Sequence, residues 1–476
     1  MKKRRLAIKI MTAVLLTGML SGCTGIKIEA AEDIQPRVIV IWNYYNGVQK
    51  ETFDALVQLY NDTEGSSRNV VIEAVSKGTV DELAQALSDS ADAKIGSDPL
   101  PQISAAYADT AFALNEKGLV ADLDQYMTPE EAAEYVDAYL EEGRFESEDT
   151  LKLFPTAKST EVLTVNMTEW DQFALETGTA EDSLSTWEGL AETAEKYYKW
   201  SGGRAFFGRD AFANYILIGS RQLGHEIFKV TDGTPVLDFD KETMRKLWDN
   251  YYVPYINGYY TAAGKFRSDD LKTGDLAAFV GSTSGAAYIP TSVTYEDGSS
   301  HDITCRVFAL PNFEGTVPGA VQQGAGMMVL QSDQKTEAAA VEFLKWFTQA
   351  EQNLEFSIQS GYLPVKKEAN TQEALDTAIE DKKIEVSDIM RQSLSVGIRE
   401  VQEYELYTTK AFAGGGKVRQ ILEYGMTDRA AEDRRQIDAL AEGGMDRDQA
   451  VAQFDTDDNF DNWYEETYDK LSSLGE

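Results

Sequence analysis

Hydrophobic and polar positions switch between two periods along the first third of the chain. Residues 37–42, RVIVIW, form a β-branched run suited to a buried strand, and over residues 50–61 Phe53, Leu56, Val57 and Tyr60 recur at helical spacing. The unit then repeats. Residues 70–75 read as a second strand and residues 80–87 as a helix with Leu83 and Leu87 one turn apart, with Ser76-Lys77-Gly78-Thr79 between them. A third strand, 102–107, follows Pro99 and Pro101, and a helical segment starts at Asp109. Strands alternating with helices predict a mostly parallel sheet with helices on its faces.

Turn and cap residues organise the middle of the chain. Thr128-Pro129-Glu130-Glu131 predicts a capped helix start with proline at the first helical position, and Ser185-Thr186-Trp187-Glu188 predicts a second capping box, opening a helix that stops at Gly202-Gly203. Between them residues 151–166, LKLFPTAKSTEVLTVN, are extended and polar in the middle, which predicts a crossing from one lobe to another. Residues 212–222 and 241–248 read as helices, and 251–260 as irregular structure broken by Pro254 and Gly258. In residues 272–288, KTGDLAAFVGSTSGAAY, a short strand at 276–280 delivers Ser282, Thr283 and Ser284 at a turn allowed by Gly281 and Gly285. This stretch is read as a second crossing. A strand at 303–310, a glycine-punctuated apolar run at 324–330 and a helix at 337–347 lead to Gly361-Tyr362-Leu363-Pro364-Val365. The remainder is helical and acidic, and no internal repeat is detectable.

Length and composition add a scale and a compartment. With 476 residues, 43% of them hydrophobic, the chain exceeds one ordinary core and fits two lobes. Lys2, Lys3, Arg4, Arg5 and Lys9 precede an apolar run ending in Leu20-Ser21-Gly22-Cys23, which closely matches a bacterial lipobox. Residues 1–22 are therefore expected to be a lipoprotein signal peptide, Cys23 the lipidated anchor to the cell membrane, and 23–36 a tether in an extracytoplasmic protein. Removing the five basic residues of the leader takes the net charge from −36 to −41, which argues against nucleic acid as a partner. Only Cys305 then remains, and the two histidines, His225 and His301, are far apart, so neither a disulfide framework, a metal site nor a cofactor is expected. Gly414-Gly415-Gly416-Lys417 lacks the spacing of a phosphate loop; it is better placed to start a helix, with Arg419 in its first turn, where free backbone N–H groups favour an anion.

Taken in order, the lipobox, the Trp-ending first strand, FPTAKSTEVLTVN, STWEGLAETA, KTGDLAAFVGS, QQGAGMMVL, AAAVEFLKWF and SGYLPVKK resemble the family 1 extracellular solute-binding proteins, the receptors of ABC importers for sugars and related solutes. The resemblance runs from Val38 to about Leu422. It implies a two-lobed α/β fold of the periplasmic-binding-protein type (type II), each lobe a mostly parallel sheet flanked by helices, with the ligand in the cleft between them. The implied first lobe is 37–156 with 285–348 and the second is 157–284 with 349–476, hinged near 155–161, 280–284 and 348–351. The chain is most similar to the glycerol-3-phosphate and glycerophosphodiester binders of that family. Their ligand positions fall on Ser159, Ser282, Gly324, Tyr362 and Arg419, and Trp187 matches a tryptophan able to stack on a sugar face or a quaternary ammonium. Two positions depart: a tyrosine of that branch is Val80 here, and its glutamate is Ala108, with Asp109 next door as a substitute.

The resemblance implies a non-enzymatic, monomeric receptor that captures a sugar or sugar-phosphate-like solute by lobe closure and delivers it to ABC permease subunits. Glycerol 3-phosphate or a glycerophosphodiester is the favoured solute. The alternatives are a neutral oligosaccharide stacked on Trp42, Tyr44, Trp187 and Tyr362, and, remotely, a surface glycosidase using a pair of the 80 acidic residues.

Overall fold

The computed structural model describes residues 35–145, 150–231 and 233–474. The leader and the predicted anchor Cys23 lie outside the described residues.

Two separate apolar cores, each around a four-stranded sheet, divide the chain into two lobes. In the first, strand Arg37–Asn43 is flanked in parallel by Val70–Ser76, in register from Arg37 against Val70 to Asn43 against Ser76, and by Ile103–Ala106. Strand Gly326–Val329 closes the sheet antiparallel to Ile103–Ala106. The helix Gly47–Tyr60 buries Phe53, Leu56, Val57 and Tyr60, the four positions its periodicity marks. Burying each of these contributes roughly 1.5–3 kcal/mol, against tenths from intrinsic helix propensity, so the apolar face fixes this helix. It packs on the helices Gln334–Phe347 and Ala350–Ser360, where the rings of Phe53 and Phe347 meet edge to face at 5.5 Å.

The second sheet runs in the order Cys305–Phe308, Glu161–Asn166, Ala278–Ser282, Phe207–Arg209. Only the last pair is parallel, so this lobe departs from the mostly parallel arrangement expected. Helices Trp187–Trp200, Phe212–Gln222, Lys241–Asn257 and Gly415–Glu442 cover it. The helix Lys241–Asn257 continues through Pro254, where the sequence predicts irregular structure. A proline inside a helix costs about 3 kcal/mol, but Trp248, Tyr251, Tyr252 and Ile256 are all buried on this helix. Their combined burial outweighs one lost hydrogen bond. The predicted capping box at 185–188 is also shifted: Thr186 alone caps, accepting from the Gly189 N–H, and Glu188 instead accepts from the Glu314 N–H.

The crossings differ from two of the three expected. The first is as predicted. Residues 154–161 leave the first core, pair with Met327, Leu363 and Gln323 on the way, and enter the second sheet at Glu161. Residues 280–284, by contrast, end a strand of the second sheet without leaving that lobe, and the chain stays there through Gly319–Val321. It returns at Gln322–Gly326. Residues 348–351 only join two helices of the first core. Accordingly Cys305–Val321 belongs to the second lobe, and Phe356, Tyr362 and Val365 to the first, contrary to the boundaries at 285–348 and 349–476. Local pattern identifies strands but not the sheet each one joins, and those partners are far away in sequence. A third, smaller core of Leu363, Leu375, Leu394 and Ile398 lies under helices Gln372–Lys382 and Asp388–Glu403, between this crossing and the final return to the second lobe.

Candidate functional site

A cavity of about 420 Å³ lies between the lobes. The first lobe contributes Val80 and Asp81 from the capped start of helix Val80–Ala91, Tyr107 and Asp109 from the start of helix Ala108–Asn115, and Glu142. Opposite stand Asn214, Leu217, Phe412 and Arg419 of the second lobe.

Arg419 is held in place by a chain of polar contacts running into the second core. Its Nη2 donates to Asn214 Oδ1 at 2.7 Å; Asn214 Nδ2 donates to Glu161 Oε1 at 2.8 Å and to Gln323 Oε1 at 3.0 Å; and Arg209 Nη2 donates to Glu161 Oε2 at 2.7 Å. The Glu161 and Arg209 side chains are each 1% exposed, so their pairing satisfies charges that could not stand alone there. The guanidinium carries five N–H donors, and the Asn214 contact takes one. Helix Gly415–Glu442 begins after Gly414, which adopts φ +95°. The helix start brings Arg419, its fifth residue, to the cavity as the glycine run predicts, but the Gly415, Lys417 and Val418 N–H groups already donate to the carbonyls of Phe412 and Gly414, so the free N–H groups expected there are largely taken.

Asp109 faces this turn from the other lobe. A Cβ on Gly415 would lie 2.5 Å from Asp109 Oδ1, so only glycine lets the carboxylate approach. Burial raises the Asp109 pKa, and the Arg419 charge opposes that rise. Glu142 is already compensated: Lys158 Nζ, 1% exposed, donates to its Oε2 and to the Gly324 carbonyl, the latter at 2.8 Å, and Gln322 Nε2 donates to Glu142 Oε2 at 3.0 Å.

A second group of polar residues lies beside the crossings. Tyr362 and Tyr44 of the first lobe place their hydroxyls 3.3 Å apart, and Ser282 and Ser284 of the second place theirs 2.8 Å apart. Ser284 packs against Gly361, next to Tyr362: a Cβ on Gly361 would lie 3.1 Å from Ser284 Cα. Burial pushes the Tyr362 phenol well up, so it stays a neutral donor. Ser159 is fixed by reciprocal backbone bonds with Gln323, at 2.8 and 2.9 Å. Gly324 follows with φ +97°, and a Cβ there would lie 3.0 Å from the Ala157 carbonyl oxygen.

The predicted residues thus fall into three places. Arg419 and Asp109 share the cavity, Ser282 and Tyr362 share the hydroxyl cluster, and Ser159 and Gly324 pair the two crossings. Trp187 joins none of these. It is 2% exposed in the second core, packed on Tyr215, Phe207 and Phe313, and cannot offer a face to a ligand. Being the first residue of an amphipathic helix already favoured that position. Trp42 is likewise 3% exposed, with the Lys77 ammonium 3.8 Å from its ring centroid. The sequence reading missed Asn214, Glu161 and Tyr107 as site residues and assigned Ser284 only to a turn. Nothing local marks Asn214, which lies within an apolar helix; an amide in such a helix was the available signal.

Among the described residues no group of three potential metal ligands occurs, and no helix is long and apolar enough to cross a membrane. Another groove, of about 360 Å³, lies on the first lobe and is lined by surface charges paired with one another, such as Lys345 with Glu131 and Arg68 with Glu342.

Two lobes joined by crossing segments, with a polar cavity between them, define a two-lobed binding protein. Residues 55–384 match the model of the bacterial extracellular solute-binding proteins, and the chain belongs to that family. It is accordingly a solute-binding receptor that acts outside the cytoplasm and not an enzyme, and the family implies an ABC permease as its partner. Its fold is similar to that of the cyclic alpha-maltosyl-1,6-maltose binding protein from Arthrobacter globiformis, with a TM-score of 0.67 at 17% identity over 91% of this chain and 99% of that one. It is also similar to UgpB from Mycobacterium tuberculosis, solved in complex with glycerophosphocholine, with a TM-score of 0.66 at 19% identity over 91% and 98%. The GacH receptor of Streptomyces glaucescens, solved unliganded and with acarbose, gives 0.62 at 14% identity over 91% and 98%. No curated protein sequence matches the chain.

Proposed function

We propose that the protein captures a sugar-type solute carrying one anionic group, a glycerophosphodiester being favoured, and presents it to an ABC importer. The observation carrying this reading is Arg419, immobilised by Asn214 at the wall of the interlobe cavity. A guanidinium held in one geometry loses little freedom on binding a phosphate oxygen, and such a charge-assisted contact is worth about 1.5–3 kcal/mol. With several neutral hydrogen bonds of about 1 kcal/mol from Tyr362, Ser282 and neighbouring groups, affinity in the micromolar range follows, near −8 kcal/mol. The carboxylates of Asp81 and Asp109 on the same cavity disfavour a dianion such as glycerol 3-phosphate. They suit a monoanionic diester whose far end offers hydroxyls or a cation. UgpB bound to glycerophosphocholine supports the same choice.

The second reading is a neutral oligosaccharide. Those same carboxylates are strong acceptors for sugar hydroxyls, and the maltosyl-maltose and acarbose receptors share the fold. Calorimetry with glycerophosphocholine, glycerol 3-phosphate and maltotriose separates the readings. Binding of the diester alone, weakened about tenfold or more in Arg419→Ala, supports the first; binding of maltotriose alone overturns it. We further propose that Cys23 carries the lipid anchor and that the receptor acts as a monomer. Metabolic labelling with a palmitate analogue, abolished in Cys23→Ala, tests the anchor.

A further inference from the structure

We infer that Asp109 is a latch between the lobes, an internal surrogate that holds the place of the solute's anionic group until the solute displaces it. This rests on reading the cavity as the solute site. Asp109 sits in the first turn of helix Ala108–Asn115, packed in the first lobe, while Gly415 and Arg419 open a 28-residue helix packed in the second. The Asp109 carboxylate nevertheless lies against Gly415 so closely that a Cβ would stand 2.5 Å from Oδ1 and 3.1 Å from Cγ. It also feels the Arg419 charge. A carboxylate at this position meets the positive dipole end of the long helix and the charge of a guanidinium at once, the two features that would attract a phosphate oxygen.

The consequence concerns both conformation and selectivity. The contact ties one lobe to the other without a solute, so the ligand-free protein is held partly closed. A solute must break the tie, and only a group that replaces the carboxylate's contacts recovers what is lost. Neutral sugars that reach the cavity without supplying an anion leave Gly415 and Arg419 uncompensated. Asp109 therefore selects for solutes with an anionic group while lowering their absolute affinity.

Two variants test this. Asp109→Asn keeps the shape and removes the charge. Gly415→Ala keeps Asp109 but denies it the approach, at a position whose backbone does not require glycine. Thermal melting first establishes that both are folded. Small-angle X-ray scattering of the ligand-free proteins is expected to show a larger radius of gyration for both variants than for the wild type. Calorimetry with glycerophosphocholine is expected to show roughly fivefold to thirtyfold tighter binding to Asp109→Asn. Unchanged scattering in both folded variants overturns the latch, as does weaker binding by Asp109→Asn, which would make Asp109 a direct solute contact. Because scattering needs no solute, the two readings fail separately. If the variants open but no anionic probe binds any form, the proposed solute class falls and the latch stands.

Discussion

Asn214 bonds both the arginine at the wall of the interlobe cavity and the buried acid behind it: its Oδ1 accepts from Arg419 Nη2 at 2.7 Å and its Nδ2 donates to Glu161 Oε1 at 2.8 Å. Replacing it by alanine frees Arg419 to rotate and takes a donor from a buried carboxylate. Asn214→Ala is expected to weaken glycerophosphocholine binding by about tenfold, and loss of the buried hydrogen bond lowers stability by about 1–3 kcal/mol. Calorimetry and denaturant unfolding of the same preparation read both effects. Normal affinity would show that Arg419 needs no support.

Removing the guanidinium itself goes further. Arg419→Ala is expected to cost about 1.5–3 kcal/mol of binding free energy, some ten- to hundredfold in Kd, with little change in Tm. Arg419→Lys should recover only part, because an ammonium lacks the planar fork.

The hydroxyl cluster makes a smaller and separable contribution. Ser282→Ala and Tyr362→Phe are each expected to weaken binding by about 1 kcal/mol. Because Ser284 bonds Ser282 and packs against Gly361, next to Tyr362, their effects should couple in a double-mutant cycle, whereas Arg419→Ala should add independently. Strict additivity of Ser282→Ala with Tyr362→Phe would contradict the linkage.

Glu400 predicts a pH dependence of folding. It is fully buried, accepts from the Leu310 N–H at 2.6 Å and the Thr160 hydroxyl at 3.0 Å, and its pKa is pushed up to about 8 by burial against the opposing effect of those hydrogen bonds. In the unfolded chain the same group titrates near ~4.3. Between those values the folded protein binds a proton that the unfolded chain has released. The stabilisation is therefore complete below the unfolded value and is lost as pH rises through about 8. Melting temperatures measured from pH 5 to 9 should fall more steeply for the wild type than for Glu400→Gln, and parallel curves would remove the effect.

Gly324 marks the crossing where the chain returns to the first lobe. At φ +97°, with a Cβ held 3.0 Å from the Ala157 carbonyl oxygen, alanine is doubly disfavoured. Gly324→Ala is expected to destabilise by about 1–3 kcal/mol. Chemical denaturation measures this directly.

How much of the molecule was legible in the sequence differs by level. Helix Gly47–Tyr60 follows from its period, because burial of one face dominates its local energetics, and helix Phe212–Gln222 from its apolar run, which is buried nearly all round. The position of Arg419 was legible from the glycine run that starts its helix. Which lobe Cys305–Phe308 joins was not, because its pairing with Glu161–Asn166 closes over more than 130 residues and leaves no local mark. The same applies to Asn214, whose partners Glu161, Gln323 and Arg419 come from three distant segments. Trp187 shows the opposite failure. Its matching position implied a ligand contact, while the apolar rings around it made it part of the core.

The support behind Arg419 also sets an order of events. Asn214, Glu161 and Arg209 all belong to the second lobe, so the guanidinium keeps its orientation whatever angle the lobes adopt. An arriving solute therefore meets one finished wall and one still swinging. On the proposed reading, recognition of a solute's anionic end at Arg419 precedes recognition of the rest, and the residence time, more than the encounter rate, carries the discrimination between solutes that share that end.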